Sequence, residues 1–139
     1  KEGEPMDLNA YLPYFKSMID RKIGWTISNP EDGIVRVGYP LYDKPMLEFT
    51  RKFRASAEYD PHYRKTLKAN RIKPRVDEAT IAQVLKSDDV SLIGAMISLI
   101  VDWEEVEEGT WAQALQSGEL YRLTKRLAEL TSQRPQLEK

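Results

Sequence analysis

One segment constrains the fold more than any other. Between Val90 and Val101, the residues Val90, Leu92, Ile93, Ala95, Met96, Ile97, Leu99 and Ile100 cover nearly the whole circumference of a helix. A helix apolar on every side has no face for water, so it demands enclosure by other elements. A bilayer is the other apolar solvent, but a span needs about 20 apolar residues. This run is interrupted by Ser91, Gly94 and Ser98, and no other comes closer. The expectation is a buried central helix and no membrane.

The chain has enough other material to bury it. Of 139 residues, 41% are hydrophobic and 31% charged, the proportions of one ordinary soluble domain. Asp7 can accept from the free amides of a first helix, whose apolar face is Leu8, Tyr11, Leu12, Phe15, Met18 and Ile19. Pro13 predicts either a kink or a start near Leu12. Residues Ile23–Ser28 and Ile34–Tyr39 alternate with the two-residue period of strands around Asn29-Pro30-Glu31-Asp32-Gly33, and this reads as a β-hairpin.

Beyond Asp43 the period is helical. Met46, Phe49 and Phe53 follow Pro45, and Asp60-Pro61 precedes Tyr63 and Leu67 in a helix ending around Asn70. Asp77 caps Ile81, Val84 and Leu85, and Ser87-Asp88-Asp89 opens the apolar helix. Gly109-Thr110 with Gln113 has the spacing of a capping box ahead of Trp111, Ala112 and Leu115, with Trp111 expected in the core. After Ser117-Gly118, the last helix presents Leu120, Leu123, Leu127 and Leu130. The predicted class is therefore α+β: a mostly helical single domain over 7–131, with an N-terminal helix, one β-hairpin or small antiparallel sheet, and about five following helices. Residues 1–6 read as a disordered or non-native lead-in, with Met6 a candidate start, and 132–139 as a disordered tail.

This order of pieces resembles a bacterial family of unknown function, DUF6508. The likeness lies in the stretch Ile81–Leu130 with its Gly109-Thr110-Trp111-Ala112-Gln113-Ala114-Leu115-Gln116-Ser117-Gly118-Glu119-Leu120 turn and helix. It lies also in Leu12-Pro13-Tyr14-Phe15, in Tyr39-Pro40 through Phe53, and in Tyr59-Asp60-Pro61-His62-Tyr63. It extends over about Leu8–Leu130 and rests on packing residues and turns. The resemblance implies the fold outline and a bacterial origin, and it brings no catalytic motif.

Chemistry is bounded first by what the chain lacks. Without cysteine there is no disulfide, thiolate nucleophile or zinc knuckle, and the single histidine, His62, cannot form a two-histidine metal site. A reducing compartment is permitted, the polar Lys1–Pro5 has no signal-peptide core, and the expected location is cytoplasmic. No cofactor is expected. The glycines are too scattered for a phosphate loop, and no Gly-x-Ser-x-Gly elbow occurs. His62 beside Asp60 is the candidate for general-base catalysis, although Asp60 is better placed to cap the turn before Pro61. An enzyme is thus not signalled.

Charge is the informative feature. The net charge is −1, yet Arg51–Arg75 holds nine bases (Arg51, Lys52, Arg54, Arg64, Lys65, Lys68, Arg71, Lys73, Arg75) against two acids, a balance of +7. Val76–Gly118 holds nine acids against one base, a balance of −8. The densest acidic part is Asp102, Glu104, Glu105, Glu107 and Glu108. As a metal site it lacks the alternating oxygen ligands and glycine of a cation loop. It reads as a solvated turn anchored by Trp103 and Val106, or as an interaction surface. The expectation is a protein-interaction module with segregated basic and acidic faces and a protein partner. The alternative is nucleic-acid binding through the nine bases, with Tyr59 and Tyr63 stacking on exposed bases. Trp25, Tyr11, Tyr14, Tyr39 and Tyr42 could line a small cleft, but core packing is the stronger expectation for them.

Overall fold

Asp89 starts the central helix: its carboxylate accepts the Ser91 N–H at 2.9 Å. In the computed structural model, which describes residues 6–21, 25–26, 39–40 and 42–132, that helix runs over Val90–Trp103. Every residue from Leu92 to Val101 is buried. With elements numbered in chain order, a 3₁₀ turn (Leu8–Tyr11) leads into α1 (Leu12–Ser17), followed by β1 (Trp25–Thr26) and β2 (Tyr39–Pro40). Then come α2 (Lys44–Arg54), α3 (Tyr63–Ala69), α4 (Glu78–Leu85), α5 (Val90–Trp103), α6 (Thr110–Gln116) and α7 (Glu119–Ser132). Pro13 stands in the first turn of α1, where its missing N–H costs no helical bond, so the second of the two sequence readings holds.

The α+β class is a correction. Trp25 pairs with Pro40 and Thr26 with Tyr39, antiparallel, and these four residues are all the strand among those described. The physical reason lies around α5. Helices α2, α3, α4, α6 and α7 all pack on it, so the central helix keeps no face for a sheet to cover. The fold is mostly helical. The turn Asn29–Gly33 and the greater part of both predicted strands lie outside the described residues, as do the side chains of Trp25 and Tyr39, residues 1–5 and the tail from 133. Among the described residues, no helix is long and apolar enough to cross a membrane.

The two small residues inside the apolar run have a purpose in packing. A Cβ on Gly94 would stand 3.0 Å from the Glu58 carbonyl oxygen, so the turn before α3 lies directly on α5. Ser98, fully buried, donates to the Gly94 carbonyl at 2.7 Å and accepts the Asp60 N–H at 2.9 Å. Both its hydroxyl functions are satisfied, which a buried polar group requires. The turn that launches α3 is thereby fixed to the core.

Aromatic rings run along α2. Phe49 meets Phe15 edge-on at 4.9 Å and Tyr11 at 5.4 Å, stacks on Phe53 at 5.6 Å, and Phe53 meets Tyr59 at 6.3 Å. The spacing Met46, Phe49, Phe53 therefore marks the buried face of α2, and its cations Arg51, Lys52 and Arg54 fall outside it.

Candidate functional site

The basic stretch is divided by the fold into two unlike regions. The first is the seam between α2 and the end of α5. Arg54 Nε donates to Asp102 Oδ1 at 3.0 Å, its terminal nitrogen donates to the Val101 carbonyl at 3.1 Å, and Glu105 lies 3.8 Å away. A guanidinium at a helix C-terminus satisfies a free carbonyl and complements the helix dipole. Tyr59 donates to the other oxygen of Asp102 at 2.6 Å. Burial first, and then the Asp102 carboxylate, push the Tyr59 phenol well above its ordinary range. Lys52 lies 3.5 Å from Glu48 on the same helix. Arg51, with Lys52, Tyr11 and Ser56, lines a cavity of about 540 Å³ between the 3₁₀ turn and α2.

The acidic turn continues this seam. Glu104 accepts the Trp111 N–H at 2.9 Å and the Gly109 N–H at 3.0 Å, with the Tyr42 hydroxyl at 2.9 Å. Tyr42 in turn accepts the Ala112 N–H at 3.1 Å, and its ring leans on Trp111 at 5.1 Å. Trp111 is buried, as expected, and its indole N–H reaches the Ile100 and Val101 carbonyls. Thus the amides at the start of α6 are held by Glu104. The capping-box expectation at Thr110 is replaced: Gly109 is the cap residue, at φ 98°, and the Thr110 hydroxyl donates back to the Glu107 carbonyl. Burial and the neighbouring Glu104 carboxylate also raise the Tyr42 phenol.

The remaining acids are different. Glu105, Glu107 and Glu108 are exposed, and Val106 between them is 66% exposed, so it is not the inward anchor that the sequence suggested. Trp103 is half-buried, with the Arg64 guanidinium 5.4 Å above its ring.

The second basic region is α3 and the turn that ends it. Leu67 is buried beneath α3, while Arg64, Lys65 and Lys68 face outward. The helix closes in a Schellman motif: the Ile72 N–H returns to the Leu67 carbonyl at 2.8 Å, the Arg71 N–H returns to Lys68 at 2.9 Å, and Ile72 is buried. This geometry puts Arg71 at φ 62°, the left-handed region where glycine is usual. Arg64, Lys68, Arg71 and Lys73 surround Ile72 and Pro74 in a groove of about 540 Å³ whose charged lining residues are all cations. Arg75 stands beyond it, 3.8 Å from Asp77.

A second, smaller groove of about 230 Å³ adjoins the first at Pro74 and is lined by Arg75, Val76, Trp103, Glu107, Thr110 and Gln113. Ile72 and Pro74 were absent from the sequence-based set of binding residues. The pair Leu67 and Ile72, five apart, carried the only signal, that of a Schellman hydrophobic contact.

His62 is exposed just before α3. Its backbone N–H donates to Asp60 Oδ1 at 2.8 Å, and Thr66 donates its hydroxyl to the other Asp60 oxygen. The Asp60 carboxylate thus organises the turn. Of the predicted aromatics, Tyr63 is half-buried against the core and Tyr59 is tied to Asp102.

Fold and surface together define a helical protein carrying a cationic groove beside an acidic turn. By sequence it belongs to the family of unknown function DUF6508, which it matches over residues 4–133. No curated protein and no solved structure matches the chain.

Proposed function

We propose that this protein is a non-catalytic interaction module whose cationic groove at α3 takes an acidic segment of a partner protein. The observation that carries this reading is the groove itself: Arg64, Lys68, Arg71 and Lys73 converge on the apolar floor of Ile72 and Pro74, with no acid among them. Elsewhere in the basic block Arg54 and Lys52 face acids. Clustered like charges repel one another, and an acidic partner relieves that repulsion.

Arg71 adds independent support. A non-glycine residue in the left-handed region costs about 1 kcal/mol, and such strain at a ligand-facing position is an argument for a role of its side chain. The apolar floor suits a side chain flanked by carboxylates. Nucleic acid is less well suited, because stacking needs free aromatic faces and Tyr59 and Tyr63 are engaged with the core.

The test is fluorescence anisotropy with a labelled peptide of four glutamates around a central valine, beside an oligothymidylate of equal charge. The expected result is salt-sensitive peptide binding that Lys68→Ala and Arg71→Ala each weaken. Equal or tighter binding of the oligothymidylate would favour the nucleic-acid alternative.

A further inference from the structure

The acidic turn and the cationic groove are neighbours on one surface. Pro74 lines both grooves, Glu107 lines the second of them, and Arg64 lies over Trp103 at the border. A two-fold interface requires that arrangement: a patch and its complement side by side, so that rotation about their border lays each on the other's counterpart. The turn also matches the groove in detail. Glu105, Glu107 and Glu108 are exposed around Val106, which at 66% exposure is one of only two large exposed hydrophobic side chains among the described residues. The groove offers cations around Ile72 and Pro74.

We infer that two copies of this chain associate about a two-fold axis near Pro74 and Trp103, the Glu105–Glu108 turn of each lying in the other's cationic groove with Val106 over Ile72 and Pro74. This rests on the groove assigned above as a docking site and names a second copy as an occupant. Charges at such an interface steer and orient the partners and are screened by salt, while the apolar contact is not. Among the described residues Glu105 reaches only Arg54, at 3.8 Å, and Glu107 and Glu108 are exposed, so the turn's carboxylates face outward.

Sedimentation of the full chain at low and high salt reads the association, and a charge-swap pair tests its geometry. One variant carries Lys68→Glu and Lys73→Glu, the other Glu107→Lys and Glu108→Lys. All four side chains are exposed, and circular dichroism confirms that each variant keeps its helices.

The wild type is expected to dimerise at low salt, with the dissociation constant rising about tenfold or more when salt is raised from about 0.05 M to about 0.5 M. Each variant alone abolishes the opposition of charge at both contacts, the groove pair leaving two cations beside two acids and the turn pair leaving one acid beside two bases, and each sediments as a monomer. An equimolar mixture restores the dimer, since one contact is then wild-type on both sides and the other carries both reversals.

A wild type that stays monomeric at low salt, or a dimer indifferent to either swap, or a mixture that does not recover, overturns the inference. The peptide experiment separates the two readings. A wild-type monomer that still binds the glutamate peptide removes the dimer and leaves the proposed function; a swap-sensitive dimer whose Glu107→Lys, Glu108→Lys variant, monomeric and with its groove free, does not take the peptide removes the proposed partner and leaves the dimer.

Discussion

Arg54 at the end of α2 and Lys68 near the end of α3 belong to one basic stretch of sequence, and the fold gives them opposite surroundings. Arg54 meets Asp102, the Val101 carbonyl and, more loosely, Glu105. Lys68 meets Arg64, Arg71 and Lys73 around one groove. The acidic segment divides in the same way. Asp102 and Glu104 are tied to Arg54, Tyr59, Tyr42 and the first amides of α6, whereas Glu105, Glu107 and Glu108 face water. Charge of either sign is therefore structural where α5 ends and unassigned a few residues further on. Opposite blocks in sequence do not simply cancel in space; a part cancels, and the remainder forms two adjoining patches.

The comparison breaks most readily at Glu104. Replacing it by alanine removes the acceptor for two amides at the start of α6 and for the Tyr42 hydroxyl. The expected loss is about 2–4 kcal/mol by urea unfolding, since hydrogen bonds to a charged group are the stronger kind. Glu105→Ala, one residue away and exposed, should stay within about 0.5 kcal/mol. Similar costs for the two would erase the distinction between tied and free acids.

Asp102→Asn comes next, at about 1–2 kcal/mol. The Arg54 side chain is 38% exposed and that of Asp102 24%, so solvent weakens their attraction and the Tyr59 bond accounts for part of the loss. A double-mutant cycle with Arg54→Ala measures the coupling. Alkaline titration supplies a second reading. The Tyr59 phenol is held above its ordinary value of 10.0, so as pH rises past 10 the unfolded chain releases a proton that the native state keeps, and stability falls. Asp102→Asn should bring the Tyr59 titration down and lessen that fall; an unchanged titration would detach Tyr59 from the seam.

How much of this was legible beforehand depends on the distance over which each feature is determined. The enclosed helix could be read from its composition. The Asp77 cap and the helix start within Ser87-Asp88-Asp89 could be read because the acceptor and its amide lie within three residues. The capping box at Thr110 misled for the reason the others succeeded: a competing acceptor, Glu104, reaches Gly109 and Trp111 from the previous turn. Val106 was assigned inward by its chemistry alone, yet it falls in the turn between α5 and α6, where it meets water. The β-hairpin was an inference from alternation, and alternation does not reveal that five helices already enclose α5. The split of the basic block depends on which residues of α5 and its following turn each of α2 and α3 meets, and no local pattern carries that.

The smallest effects on stability are expected in the groove, and there they are the most telling. Lys68→Ala should change stability by less than about 0.5 kcal/mol, or raise it slightly, because it removes a like charge and no hydrogen bond. Arg71→Gly sharpens the point. Glycine relieves the left-handed strain at φ 62° while the Schellman bonds of Ile72 and residue 71 to Leu67 and Lys68 remain, so urea unfolding should show a gain of up to about 1 kcal/mol. The same variant should bind the glutamate peptide more weakly, since one of four groove cations is gone. A side chain kept for folding would give the opposite pair of results, a loss of stability with binding intact. Only a side chain held in strain for a partner lets the protein become more stable and bind less when it is removed.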